Sequence, residues 1–373
     1  LGDPPIGSTF LDPILQQELA AQPFFRGFTY RLSDGDPICG WLAAFLETSR
    51  LTVEDLHRLD PAPQADDVVF LHSGQAAQLR GFAGWLEARP DLRRAVIEFG
   101  VEPGLDLQRT DAGMNVETRD PRFDPRAVLN RLAANEMTEG VSARLRLSTF
   151  DSAASQLYEF LLRKPVATLP VPRCRVIASR PRLGRRPITV AVLGHQRWEK
   201  GYHLVPAVFE GLRLLFPGDD LRLLAHNGAV GTHAPEREAL RRMAVLDSRC
   251  TLEERIADQR VWTDLLARSD LILCPYEAAR FTASYSAVVC EATANGIPVV
   301  VPADTALARM AFDYGAGIVF SEWTVESVLI ATAQAFRQFD ALVMRAEAGA
   351  ERWALEHGAA RTVDGILRLA GVT

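Results

Sequence analysis

The sequence predicts an α/β protein made of two Rossmann-like domains that face each other across a cleft. Three observations carry this. At 373 residues the chain is too long for one ordinary domain, and two of about 150–200 residues each is the natural division. Between residue 188 and about 320, unbroken apolar runs alternate with amphipathic helical stretches, which indicates a parallel sheet covered on both faces. A segment dense in proline and arginine separates that part from the rest, running from Leu169-Pro170-Val171-Pro172-Arg173 through Pro181 to Leu183-Gly184-Arg185-Arg186-Pro187. Proline withholds a backbone donor and resists helix, and the arginines are expected to stay solvated, so this is a linker. The expected divisions are an N-terminal domain over 1–172, a linker over 173–187, a second domain over 188–345 and a helical tail over 346–373.

The second half is the more regular. Its strands read Ile188–Leu193, Leu221–Ala225, Leu271–Cys274, Ile297–Val301 and Ile318–Phe320, with a weaker one near Cys250. Between them lie helical patterns at Tyr202–Phe216, Pro235–Val245, Val261–Arg268 and Ser286–Asn295, and from Val325 onward the pattern is helical with a break near Gly358. Right-handed crossovers between such strands give a doubly wound sheet. In the first half, Ser8–Ala21 reads as a helix, Gly27–Arg31 as a short strand and Ile38–Glu47 as a helix. Val68–Leu71 is a strand leading into a loop at His72-Ser73-Gly74, followed by the helix Gln75–Glu87. Ala95–Phe99 and Arg144–Thr149 are further strands, Ala153–Leu162 a helix, and the polar stretch Pro103–Pro125 a loop. The strand expected ahead of the first helix is lacking.

Composition bounds the function. Hydrophobic residues make up 48% and charged residues 24% of the chain, enough for two cores, and no apolar run reaches 18 residues, so no membrane span is expected. The net charge of −6 excludes tracking of a nucleic-acid backbone by charge alone. The five cysteines (Cys39, Cys174, Cys250, Cys274, Cys290) are scattered and form no C-x-x-C pair, which points to a reducing compartment without disulfides or zinc. The start, Leu1-Gly2-Asp3-Pro4-Pro5, has no signal-peptide pattern and no initiator Met, so a cytoplasmic location within a longer polypeptide is expected.

In open α/β sheets ligands sit beyond the carboxyl ends of the strands, and three segments fall there. Of the 41 basic residues only Lys164 and Lys200 are lysine, and Lys200 lies in Leu193-Gly194-His195-Gln196-Arg197-Trp198-Glu199-Lys200-Gly201, just after an apolar strand. A compact ammonium suits a phosphate oxygen, Arg197 adds charge, and Gly194 lets the backbone come close; an ordinary solvated loop is the bland alternative. In the second segment, Ser286 can cap a helix whose free N–H groups hold a phosphate, and Glu291 sits inside that helix among Val289, Cys290 and Ala292. A carboxylate there needs good donors, which two ribose hydroxyls would supply. The third is His72, just past a first-domain strand, able to hydrogen-bond a sugar hydroxyl or steady developing charge. His203 and His226 have no metal-like spacing and stay unassigned.

These residues resemble a family. G-x-x-R-x-x-K-G at Gly194–Gly201, S-D-L-I-L-C-P-Y at Ser269–Tyr276 and E-A-x-A-x-G-x-P-V-V at Glu291–Val300 are similar, in order and spacing, to the retaining nucleotide-sugar glycosyltransferases of the GT-B fold, the group that includes bacterial polysaccharide and mannosyl transferases. The similarity covers residues 188–320 well and the first domain loosely. It implies a donor-binding second domain and an acceptor-side first domain. Arg197 and Lys200 would bind the donor diphosphate. Gly194 and the Ser284-Tyr285-Ser286 helix start would line it, Glu291 would hold the ribose, and His72 would lie near the donor sugar. No cofactor or metal is expected, because the basic pair and the helix dipole take the leaving-group charge. The expected partners are a nucleoside-diphosphate sugar and a glycan, lipid-linked or small-molecule acceptor, with peripheral membrane contact compatible and nucleic acid not expected. The setting implied is bacterial surface-glycan or glycoconjugate assembly.

One departure stands out. The family usually carries a second glutamate eight positions before the ribose-binding one, in contact with the donor sugar; here that position is Ala283, and the small glycine usual near Ser286 is itself that serine. Thr282 or Ser284 could take over a hydroxyl contact. Two other readings therefore stay open: a catalytically silent GT-B scaffold that binds nucleotide or glycan, and a sugar-nucleotide epimerase of the same architecture.

Overall fold

The computed structural model describes residues 38–110, 113–122, 124–178, 182–194, 197–228 and 233–372. The helix expected at Ser8–Ala21 and the strand at Gly27–Arg31, and with them the question of a lacking first strand, lie outside the described residues. In chain order the elements are α1 (Ile38–His57), β1 (Val68–Gly74), α2 (Ala76–Ala88), β2 (Arg94–Phe99), β3 (Leu105–Thr110), β4 (Gly113–Thr118), α3 (Arg126–Asn135), α4 (Glu139–Ser142), β5 (Leu145–Thr149), α5 (Ser152–Leu162) and β6 (Val166–Thr168). There follow β7 (Ile188–Val192), α6 (Val205–Leu215), β8 (Leu221–His226), α7 (Ala234–Leu246), β9 (Cys250–Glu253), α8 (Gln259–Arg268), β10 (Leu271–Leu273) and α9 (Ala287–Ala294). The chain ends with β11 (Val299–Pro302), α10 (Ala306–Asp313), β12 (Gly317–Phe320), α11 (Val325–Arg337), α12 (Phe339–Glu356) and α13 (Ala359–Leu369).

Two parallel sheets result. The first has the order β1-β2-β5-β6 and the second β12-β11-β10-β7-β8-β9. The apolar runs of the second half become buried strands because helices cover both faces: Val190, Val192, Leu221, Leu223, Val299 and Val300 are all inaccessible. Counting from β7, the second sheet runs 6-5-4-1-2-3, the doubly wound order, and its direction reverses between β7 and β10. The loops leaving those two strands carry Gly194–Gly201 and Pro275–Ser286. Topology thus brings together two segments more than 70 positions apart.

Several expectations need correction. Pro103–Pro125 is not simply a loop; β3 and β4 pair antiparallel from Leu105 opposite Thr118 to Thr110 opposite Gly113. The ribbon is short and polar and leaves little apolar alternation to read. His72-Ser73-Gly74 is not a loop but the end of β1, where the register against β2 shifts between Leu71 and Gly74 and Ser73 takes a φ of 55°. Helix α1 runs ten residues past Glu47, since Thr48, Ser49 and Thr52 face inward and the Ser49 and Thr52 hydroxyls bond to the carbonyls of Phe45 and Thr48, each four residues back. The stretch Tyr202–Phe216 opens with a 3-10 turn at Tyr202–Leu204 before α6 begins. The linker arginines do not all stay solvated: Arg182 is buried and donates to the carbonyls of Asn295 and Gly296 at 3.2 and 3.3 Å. It closes the C-terminal end of α9, where helical carbonyls lack partners.

The domains meet along a seam. Phe150, Val96, Leu169 and Val171 of the first half pack into one apolar cluster with Cys274, Tyr276, Phe281, Val288 and Cys290 of the second. Polar contacts cross it as well: Ser284 Oγ donates to the Gly100 carbonyl at 2.8 Å, and Arg309 Nη2 meets Asp151 at 2.5 Å. The C-terminal helices return to the first half, with Thr362 Oγ1 donating to Pro170 O and Trp353 Nε1 to Arg173 O. No helix among the described residues is long and apolar enough to cross a membrane.

Candidate functional site

Lys200 ends a single 3-10 turn, Trp198–Lys200, that follows β7. The turn is forced by Gly201, whose φ of +67° suits glycine and whose Cβ, if present, would lie 1.8 Å from the Pro275 carbonyl oxygen. The Lys200 ammonium therefore points inward. Its Nζ sits 5.3 Å from the centre of the Tyr276 ring, and a Cβ on Gly194 would be 3.8 Å from Nζ and 3.1 Å from Val288 of α9. Among the described residues no carboxylate lies within 4 Å of it. Burial first, and then the neighbouring Arg197, push its pKa down to about 8.

Arg197 is placed differently. Its side chain is 49% exposed and its Nε pairs with Glu199 Oε1 at 2.9 Å. It faces the Lys200 neighbourhood from the rim rather than from within. Ser286 is the N-cap of α9 and accepts weakly from Val289 N at 3.5 Å. The helix is buried on every side because Val288 through Ala294 are all apolar or small apart from Glu291. Gly194, Lys200, Tyr276, Ser286 and Val288 thus form one group at the carboxyl edge of the sheet.

Glu291 lies a turn and a half deeper and already has protein partners. Trp262 Nε1 of α8 donates to its Oε2, and Arg173 Nη1 of the linker pairs with Oε1 at 3.0 Å. Burial raises its pKa, and Arg173 and Trp262 oppose the rise. Nothing in the sequence joined Arg173 or Trp262 to Glu291; the only clue was a carboxylate in an apolar helix, which demands donors from somewhere.

His72 and Tyr285 meet across the seam, with the Tyr285 hydroxyl 3.4 Å from His72 Nε2. The His72 Nδ1 is 2.8 Å from Glu98 Oε2, and Phe70 and Phe150 flank the ring. Tyr285 packs edge-on against Phe150 at 5.1 Å, and burial raises its phenol pKa. Ser284 spends its hydroxyl on the Gly100 carbonyl, so it is a domain contact. Ala283 is 2% exposed within the first domain's core cluster, and its N–H donates to Glu102 Oε2 at 3.0 Å. A glutamate there would have to enter that core beside a second carboxylate, which accounts physically for the small residue. Glu98 and Glu102 were both missed in the sequence, although a lone carboxylate in the apolar strand Arg94–Phe99 was a usable signal. A separate cavity of about 430 Å³ belongs wholly to the first domain; Arg80 and Glu136 on its wall pair with each other at 2.6 Å.

Comparison with solved structures decides the architecture. Sucrose-phosphate synthase from Thermosynechococcus elongatus superposes with a TM-score of 0.59 over 88% of this chain and 78% of its own, at 13% identity. An α,α-trehalose-phosphate synthase (UDP-forming) from Burkholderia vietnamiensis gives 0.59 over 95% and 85%, at 12% identity. Anabaena HepE in complex with UDP gives 0.57 over 91% and 85%, at 13% identity. The fold is GT-B. No sequence-family model matches the chain, and no curated protein does. At these identities the likeness speaks for the arrangement of the two domains and not for the chemistry between them.

Proposed function

We propose that the protein is a retaining glycosyltransferase that moves a glycosyl unit from a nucleoside-diphosphate sugar to an acceptor hydroxyl. The observation that carries this reading is the Lys200 ammonium: it is part-buried at the switch point of a doubly wound sheet, beside a helix start and a close-approach glycine, with no carboxylate partner within 4 Å among the described residues. A buried cation is costly unless something anionic completes it. A diphosphate does so, with the α9 N-terminus and Arg197 adding donors and charge.

In this reading the bond from the anomeric carbon to the diphosphate oxygen breaks, and its electron pair stays on the diphosphate, stabilised by Lys200 and Arg197. The acceptor oxygen bonds to the same face of the anomeric carbon and passes its proton to the departing oxygen. Glu291 turns from Arg173 to the ribose hydroxyls, and the seam around Tyr285 opens to admit the donor and recloses over it. This reading assigns no step to a metal or cofactor. Because the similar structures include a UDP-forming synthase and a complex with UDP, UDP is the first nucleotide to try. A role in bacterial surface-glycan assembly, in the cytoplasm, belongs to the same proposal.

Calorimetry with UDP, GDP and ADP, followed by turnover of the matching sugar nucleotides with the product anomer read by NMR, tests it. Failure of all three nucleotides to bind at millimolar concentration would remove the reading. Ala283, sealed into the first domain, favours one alternative, a nucleotide-binding GT-B scaffold without turnover, which binding without hydrolysis or transfer would identify.

A further inference from the structure

We propose that Glu98 is a positioning residue for this reaction: its buried carboxylate locks the His72 ring with a proton on Nδ1, so that Nε2 faces the domain seam and exchanges its contact with Tyr285 for one with a hydroxyl of the transferred sugar. The proposal rests on the glycosyltransferase reading. Glu98 lies in β2 among Ala95, Val96, Ile97 and Phe99, and like them it is inaccessible to solvent. A carboxylate in that setting is costly unless donors reach it.

Two donors do, and both come from the irregular end of β1. The Ser73 N–H reaches Oε2 at 2.9 Å, and His72 Nδ1 reaches the same oxygen at 2.8 Å. The register slip after Leu71 and the positive φ of Ser73 turn both groups back toward β2. A bulge that re-aims a side chain next to a site is a recurrent use of such irregularity. Oε1 makes no hydrogen bond, so the carboxylate has no other hydrogen-bonding task in the core, and among the described residues no arginine or lysine pairs with it within 4 Å.

The carboxylate decides which ring nitrogen carries the proton. With Nδ1 deprotonated, its lone pair would face Oε2 at 2.8 Å and repel it; with Nδ1 protonated, the contact is a hydrogen bond. Phe70 at 6.3 Å and Phe150 at 5.7 Å hold the ring plane. Nε2 is thereby committed to the seam, 3.4 Å from a hydroxyl that lies one residue before Ser286, the cap of α9. That contact is long, and a sugar hydroxyl can displace it.

The test uses the whole chain and Glu98→Gln, which keeps the size of the side chain but lets an amide N–H point at Nδ1. Two-bond 1H–15N correlation spectra, with the His72 signal assigned by its loss in His72→Gln, are expected to show Nδ1 protonated in the wild type and Nε2 protonated in E98Q. With a donor that turns over, kcat should fall about 100-fold, in the range for a positioned catalytic histidine, while donor KM and UDP affinity stay within about twofold. A wild-type ring protonated on Nε2 alone overturns the proposal, and this needs no variant to fold. So does an E98Q protein with unchanged kcat, or one in which kcat, KM and melting temperature fall together. A wild type that binds no nucleotide sinks the glycosyltransferase reading instead, and the ring assignment is still decided by the spectra.

Discussion

Replacing Lys200 with Met should make the protein more stable and less able to bind UDP, two effects of opposite sign from one side chain. Burial lowers the Lys200 pKa from 10.5 to about 8, which corresponds to about 3 kcal/mol of folding free energy. The sign follows from proton counting: between pH 8 and 10.5 the unfolded chain holds a proton here that the folded chain has released. Wild-type stability therefore rises with pH across that window, and below pH 8 the full cost of the buried charge applies. Methionine removes the charge at similar length but loses the contact with the Tyr276 ring, worth about 1 kcal/mol. A net gain of about 2 kcal/mol at pH 7 remains, or about 4–8 °C in melting temperature for domains of this size.

The same substitution removes a charge-assisted contact to a diphosphate, worth about 1.5–3 kcal/mol, so UDP affinity should drop about 10- to 150-fold. Urea titrations at pH 7 and pH 10, with and without UDP, read both effects at once. In the wild type, UDP at about 100 times its Kd adds about 2.7 kcal/mol; in the variant only about 0.3–1.4 kcal/mol of that increment remains at the same concentration. A Lys200→Met protein that is less stable at pH 7 and binds UDP as before would refute the argument, because the ammonium would then be a structural group and not a site held open for an anion.

Two further substitutions probe the seam and the loop. Burial pushes the Glu102 carboxyl up to about 7, against the pull of Arg119 and Arg126. Between pH 4.5 and 7 the unfolded chain ionises while the folded one does not, so Glu102 lowers stability progressively over that window. Glu102→Gln, which still accepts the Ala283 N–H, should gain about 3 kcal/mol at pH 8 and nothing at pH 4, read by denaturant titration. Gly201→Ala places a methyl against the Pro275 carbonyl in a left-handed conformation; a loss of about 3 kcal/mol and of UDP binding is expected, measured by calorimetry and melting temperature.

Some of this was legible in the chain because it depends on nearest neighbours along it. The strands of the second half came from unbroken runs of valine, isoleucine and leucine, and the cap at Ser286 from a hydroxyl ahead of an apolar helix. The inward lysine was marked by its rarity and by the glycine behind it. The polar β3–β4 ribbon was missed, since strands with few apolar residues leave no period to find. So was the slip at the end of β1, because a bulge is set by the partner strand and not by the residues that form it.

The sequence alone determined the secondary-structure alternation of the second half, and with it the edge of the sheet where the candidate site was sought, since both follow from local hydrophobic period and chain punctuation. Only the tertiary structure decided which groups share a charge. Glu98 with His72, Arg173 and Trp262 with Glu291, and Glu102 with the Ala283 N–H are pairs distant along the chain. Each forms because a carboxylate removed from water takes its donor from whichever element the packing brings beside it.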